Sequence, residues 1–163
     1  MSPSKAIRII GIDPGIADTG YGIIETEGSR LTHLAHGSIK TPKDEQMPQR
    51  LLQLEQELEQ IITLYQPTRF AIEKLFFSRN VTTALIVGQA RGIALLVAAR
   101  HSLSVHELTP LQVKQAVSGY GKADKKQIQN MIKLILNLNT IPKPDDAADA
   151  LAIAISASNS YGF

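Results

Sequence analysis

The chain of 163 residues is 44% hydrophobic and 20% charged, a composition typical of one globular domain with a sizeable core. It contains no cysteine, which excludes disulfides, zinc–thiolate sites and cysteine nucleophiles. Residues 1–68 carry six Lys and Arg against nine Asp and Glu, and residues 69–163 carry eleven against six, so the second half has a modest positive excess that would suit a polyanionic partner.

The N-terminal residues and the hydropathy of the chain predict where the protein acts. Residues 1–5 are too few and too polar for a signal peptide, and no stretch is expected to reach the ~18 apolar residues of a membrane span. We therefore predict a single domain over residues 1–163, cytoplasmic and without a membrane partner.

A strand rich in isoleucine at residues 7–12 opens the chain and is followed by a carboxylate, Asp13. This pattern is typical of a strand buried on both faces. Taken alone, Asp13 is best explained as an Asx-turn residue before Pro14 and Gly15, because a buried acid without a cation is costly to desolvate.

Two further strands are predicted at residues 19–25 and 31–40, and their short links indicate an antiparallel meander. Gly15, Gly20 and Gly22 lie in or near the first turn. They are explained either as turn residues or as positions where a bulky ligand such as a phosphodiester approaches the backbone.

A long amphipathic helix is then predicted, because apolar residues recur at spacings of three and four: Met47, Leu51, Leu54, Leu58, Ile61 and Tyr65. The next strand, residues 70–73, ends in Glu73. Since a helix connects it to the meander, this strand should run parallel to the first and bring Glu73 level with Asp13.

The loop after Glu73 places Phe76 and Phe77 between Lys74 and Arg79. Both rings could belong to the core. An exposed aromatic flanked by cations is also typical of a side chain that stacks on nucleic-acid bases.

A second long helix is predicted at residues 81–100, apolar nearly all round and containing Gly88 and Gly92. It must be covered on two sides. The second cover is either a neighbouring helix of the same chain or a second subunit, and the sequence favours neither.

A fifth strand at residues 104–108 precedes a helix that begins after Thr109 and runs to residue 117. Another helix is predicted from residue 122 to about residue 138. The densest basic cluster of the chain lies here, and such clusters are most often solvated helix faces. Its members are Lys114, Lys122, Lys125 and Lys126.

The last helix, residues 145–155, carries Asp146 and Asp149 on one face, while Asp145 has no assignable role beyond the helix start. With Asp13 and Glu73 they make four acids that solvated surfaces do not explain. Clustered carboxylates repel unless a cation neutralises them, and hard oxygen ligands favour Mg²⁺ or Mn²⁺. Two such ions ~4 Å apart would suit phosphodiester hydrolysis.

Four segments, residues 11–15, 71–73, 88–92 and 146–152, closely resemble the bacterial RuvC family of Holliday junction resolvases, in order and across nearly the whole chain. The resemblance implies an α/β, ribonuclease H-like fold with a five-stranded mixed sheet and helices on both faces. It also implies a homodimer that nicks four-way junction DNA symmetrically in recombination and repair. Hydrolysis by a metal-activated water is expected to leave 5′-phosphate ends. The implied cofactor is Mg²⁺, and the implied partner is a RuvA–RuvB type branch-migration complex. The carboxylate ligands themselves lead us to expect that Mn²⁺ can substitute and that each subunit holds two ions.

Carried over by position, the implied catalytic and metal-binding residues are Asp13, Glu73, Asp146 and Asp149. The expected DNA-binding residues are Phe76, Lys114 and Lys125, to which the charge pattern adds Lys122 and Arg79.

Two alternatives remain open on the sequence. One is an actin-like ATPase or sugar-kinase half-domain, because those proteins also open with a strand and a phosphate-binding turn. The other is a catalytically silent junction-binding protein, against which the presence of all four acids argues.

Overall fold

The structure is a computed structural model and describes residues 5–75 and 80–160. The strands in chain order are β1 (Ile7–Asp13), β2 (Asp18–Glu27), β3 (Arg30–Lys40), β4 (Arg69–Glu73) and β5 (Ser104–Leu108). The helices are α1 (Met47–Tyr65), α2 (Val81–Arg100), α3 (Pro110–Ser118), α4 (Lys125–Ile135) and α5 (Asp145–Ser160).

The five strands form one sheet in the order β3-β2-β1-β4-β5. The first three make the predicted antiparallel meander, and β4 and β5 run parallel to β1. The parallel pairing of β1 with β4 sets Ile12 opposite Ile72, so Asp13 and Glu73 end their strands at the same level. The predicted five-stranded mixed sheet is therefore confirmed.

Helices cover both faces of the sheet, as predicted, because side chains along each strand alternate between the faces. Ile10 and Ile12 of β1 pack with α1 and α2 in one core cluster. Ile9 packs in a second cluster with α3, α4 and α5. By the same alternation, Asp13 and Glu73 lie on the side of α5.

Helix α5 lies directly on the sheet because glycines replace side chains beneath it. A Cβ on Gly20 would overlap the Asp146 carbonyl oxygen, and a Cβ on Gly22 would lie 2.7 Å from the α5 backbone. A Cβ on Gly11 would also overlap α5. The interpretation of Gly20 and Gly22 as room for a phosphodiester is therefore wrong: the space belongs to helix backbone.

Helix α4 begins at Lys125 and not at residue 122. Asp124 caps it, since its side chain accepts from Gln127 N while the Gln127 side chain accepts from Asp124 N. This capping box fixes the start and leaves residues 119–124 as a loop. The helix also ends at Ile135, earlier than predicted, before Asn137 adopts a positive φ of 52°.

Helix α2 is fastened to α1 at its C-terminal end, where Arg100 pairs with Glu55 and His101 pairs with Glu59. With a mean hydropathy of 1.7, α2 is long and apolar enough to cross a membrane by length and composition alone. The expectation that no stretch is apolar enough for a membrane span is therefore wrong by length and composition, since Arg91 and Arg100 are the only charged residues of α2. A core helix of a folded domain meets the same criterion, and α2 lines one of the two cores.

Candidate active site

Three aspartates from opposite ends of the chain meet beside the sheet. Asp13, Asp146 and Asp149 each place one carboxylate oxygen so that all three oxygens lie within 4.8 Å of one another. Asp13 is the last residue of β1 and pairs with Gly20 of β2. Asp146 lies over that same glycine. The missing side chain at Gly20 is thus what allows the first strand and the last helix to bring their acids together.

Glu73 lies beside this group at the end of the neighbouring strand. It lines a cavity of about 320 Å³ together with Asp13 and Asp149. Its carboxylate is not one of the three oxygens within 4.8 Å. The four predicted acids therefore form a compact aspartate trio with a glutamate on the adjoining cavity wall.

Burial and mutual repulsion make these acids hard to ionise together. Burial, followed by the charges of Asp149, Asp146 and Glu73, raises the pKa of Asp13 from 3.8 to about 8. Burial is also the main cause that raises the pKa of Asp149. The pKa of Glu73 is raised by burial and by Asp149, against the opposing effect of Lys114. The carboxylates of such a cluster repel one another, and a bound cation would reduce that repulsion.

The chemistry of the donors fits a hard divalent cation. All the ligand atoms on offer are carboxylate oxygens, which Mg²⁺ and Mn²⁺ prefer over the nitrogen and sulfur ligands of softer metals. Asp13, Asp146 and Asp149 would supply one oxygen each, and Glu73 could reach in from the cavity wall.

The predicted DNA-binding lysines do not all lie at this cavity. Lys114 of α3 and Lys125 of α4 line it. The Lys125 ammonium lies 4.0 Å from Asp149 Oδ2, and the charge of Asp149 is the main cause that raises the pKa of Lys125. Lys122 is exposed in the loop before α4 and is not among the lining residues. The predicted residues Phe76 and Arg79 lie outside the described residues.

Arg91 supports the strand end that carries Glu73, a role that was not predicted from the sequence. Its Nη2 lies 2.6 Å from Glu107 Oε1, and its Nε donates to the Glu73 carbonyl oxygen at 3.4 Å. Arg91 therefore fastens α2 to the strand end that carries Glu73. The signal in the sequence was a lone arginine in the middle of an apolar helix, where an unpaired charge would be costly.

Comparison with known proteins places this chain in a family. The sequence profile of "Crossover junction endodeoxyribonuclease RuvC" matches residues 9–157. The RuvC protein of Heliobacterium modesticaldum is 58% identical over 152 residues, which cover 93% of this chain and 94% of that protein. The RuvC protein of Alkaliphilus oremlandii is 56% identical over 155 residues, covering 95% and 94%.

Among solved structures, RuvC of Thermus thermophilus in complex with a Holliday junction substrate superposes with a TM-score of 0.89. It is 33% identical, and the match covers 93% of each chain. This similarity confirms the ribonuclease H-like fold class predicted from the sequence.

Proposed function

Because the chain belongs to the RuvC family of crossover junction endodeoxyribonucleases, we propose that its acid cluster hydrolyses phosphodiester bonds in four-way DNA junctions. The protein is thus a DNA-binding nuclease of recombination and repair. The observation that carries the assignment to this site is the meeting of Asp13, Asp146 and Asp149 within 4.8 Å beside a cavity. The junction complex of the similar Thermus thermophilus protein supports junction DNA as the substrate.

The RuvC family is metal dependent, and in this chain the four acids would hold the metal. We assign Mg²⁺, two ions per subunit, to Asp13, Glu73, Asp146 and Asp149, with Mn²⁺ able to substitute. When bound, the cations neutralise the acids and polarise the scissile phosphate. The raised pKa of Asp13 supports this assignment, because a divalent charge would hold that carboxylate ionised at neutral pH.

The lysines of the cavity act on the phosphate itself. Lys114 and Lys125 line the same cavity as Glu73 and Asp149, so their ammonium groups can bind phosphate oxygens and stabilise the charge that develops during bond cleavage. The products would be 5′-phosphate and 3′-hydroxyl ends. The roles of Phe76 as a base-stacking residue and of Arg79 and Lys122 as DNA contacts stay predictions, as does the cytoplasmic location.

The alternative of an actin-like ATPase or sugar-kinase half-domain is not supported. A nucleotide-clamping protein needs two such domains, whereas this chain covers 94% of the length of relatives that are themselves junction endonucleases. The catalytically silent alternative is decided by a cleavage assay.

With Mg²⁺, the purified protein is expected to nick a synthetic four-way junction at paired, symmetric positions and to leave linear duplex of the same sequence intact. Mapping the nicks on end-labelled strands measures this directly. Several junction core sequences are needed, because the family tends to cut at short preferred sequences. EDTA should stop the reaction and added Mg²⁺ should restore it.

Intact junctions across all cores, with binding retained, would instead support the silent junction-binding protein. Cleavage of linear duplex at the same rate would contradict the structure-specific activity.

The second subunit is proposed to dock on the outer face of α2. Val81, Leu85 and Leu96 are exposed by 57%, 62% and 45%, and they lie along one side of the helix. Gly92 lies on the same side, where a Cβ would meet nothing within 4 Å. An exposed apolar stripe with a glycine suits close packing against a second copy of the helix. A RuvA–RuvB type complex is the further partner that the family suggests.

Replacing Leu85 or Leu96 with Glu is expected to convert a dimer into monomers, because a charge in the centre of the stripe would be buried in the interface. Light scattering after size-exclusion chromatography measures the mass. Leu134→Glu is the matched control, since Leu134 of α4 is 70% exposed and lies away from the stripe. A wild-type monomer at all concentrations, or equal dissociation by Leu134→Glu, would contradict the α2 interface.

A further inference from the structure

Asp145 contacts Lys125, a residue that lines the cavity, but lies outside the aspartate trio. It is the first residue of α5 and is exposed. Its Oδ2 lies 3.3 Å from the Lys125 ammonium, and its Oδ1 accepts a hydrogen bond from Gln129 Nε2 at 3.1 Å. A longer contact of 3.9 Å reaches Lys143. Asp145 therefore makes several polar contacts of its own, although it contributes no oxygen to the aspartate trio.

The two principal partners of Asp145 come from one face of α4. Lys125 and Gln129 are four residues apart, so their side chains project in the same direction. One carboxylate oxygen meets Lys125 and the other meets Gln129. A carboxylate held at both oxygens has a fixed orientation, and the lysine that it binds is correspondingly restricted.

Lys125 is shared between two acids that differ in their relation to the site. It lies 3.3 Å from Asp145 and 4.0 Å from Asp149. Asp149 is a member of the trio, so a cation bound there would compete with Lys125 for the same carboxylate. Asp145 is outside the trio and keeps its hold on Lys125 when the trio is neutralised.

We propose that Asp145 is a positioning residue, which holds the Lys125 ammonium at the cavity mouth so that it meets the phosphate of the strand to be cut. The inference rests on the proposed function, since it concerns the same active site. It also implies that part of the catalytic effect of Lys125 depends on an acid that contacts neither phosphate nor metal.

The other explanation of Asp145 is an ordinary exposed ion pair that joins α4 to α5. Exposed pairs contribute little to stability and have no effect on a chemical step. The two explanations differ in what changes when the carboxylate is removed. A positioning residue changes the rate of cleavage of bound DNA, whereas a surface pair changes neither rate nor binding appreciably.

Asp145→Asn is expected to slow single-turnover cleavage of a saturating four-way junction about tenfold, because a displaced ammonium contributes less to the transition state. Junction affinity, measured without Mg²⁺, should stay unchanged or tighten, since a negative charge near DNA is removed. Asp145→Glu keeps the charge and should recover part of the rate. Asp44→Asn, a loss of an exposed charge in the loop before α1, is the control.

A double-mutant cycle tests whether Asp145 acts through Lys125. Lys125→Gln alone should slow cleavage, and adding Asp145→Asn to it should slow cleavage no further. Wild-type rates in Asp145→Asn or in Lys125→Gln would overturn the proposal, as would an undiminished effect of Asp145→Asn in the Lys125→Gln background. A wild-type protein that cuts no junction would instead overturn the proposed function, so the two failures are distinct.

Discussion

Asp13→Asn is expected to abolish junction cleavage, lowering the single-turnover rate by about 10³-fold or more, while junction binding is retained. The substitution keeps the shape of the side chain and removes the carboxylate that β1 contributes to the trio. Lys114 and Lys125 remain in place to bind DNA. The loss should therefore fall on the rate of cleavage and not on affinity.

The measurement pairs cleavage under single-turnover conditions with a binding titration on the same junction. Asp44→Asn is again the control for removal of an acidic charge. Were Asp13 only a turn residue, Asp13→Asn would cut at the wild-type rate and lose some stability.

The same substitution should change how stability depends on pH in metal-free protein. Burial and the neighbouring acids hold the pKa of Asp13 at about 8 in the folded state, against 3.8 for the ordinary value. The folded protein then binds a proton that the unfolded chain has lost, so its stability falls as pH rises between these two values. The loss should reach a few kcal/mol by about pH 8.

Urea unfolding in EDTA from about pH 5 to about pH 8 measures this slope, which Asp13→Asn should flatten. Added Mg²⁺ should stabilise the wild-type protein most at the upper end, where the acids are ionised. Equal slopes for the two proteins would show that Asp13 titrates normally.

Gly20→Ala is expected to damage both stability and cleavage. Its Cβ would overlap the Asp146 carbonyl oxygen, and backbone cannot rotate away as a flexible side chain can. The N-terminal end of α5 would have to leave the sheet, at a cost of about 2–3 kcal/mol. Because Asp146 and Asp149 move with that end, cleavage should also fall about 10²-fold.

Urea unfolding and single-turnover cleavage of Gly20→Ala, measured together, test this prediction. Leu134→Ala is the control for the stability measurement, since Leu134 of α4 is 70% exposed, lies away from the α2 stripe, and alanine favours a helix. If Gly20→Ala folded and cut like the wild type, α5 could not lie as close to the sheet as described.

Most of the fold could be predicted because local patterns and the global fold agree. The helix α2 has the predicted bounds of Val81 and Arg100, and the level of Asp13 with Glu73 followed from a parallel strand pair. The predicted start of α4 at Lys122 was wrong, although the correct signal was present in the sequence. Asp124 and Gln127 have the spacing of a capping box, and this box starts the helix after Lys122.

Other features needed three-dimensional information. The role of Gly20 depends on a helix more than 120 residues further along the chain, and no local pattern separates that use from a turn. A register shift in the pairing of β2 with β3 likewise brings His33 Nε2 within 2.8 Å of His36 Nδ1, which regular alternation along a strand would not predict. The contact between Asp145 and Lys125 crosses two elements and is equally invisible in sequence.

The closeness of Asp13 to Asp146 and Asp149 also constrains when activity can arise. One acid belongs to the first strand and the others to the last helix, so the contacts that unite them have nearly the largest sequence separation in the fold. Contacts of such separation are costly in loop entropy and tend to form late in folding. A nascent or partly folded chain in which α5 has not yet packed on β1 therefore lacks an assembled site, and cleavage activity is expected only once folding is complete.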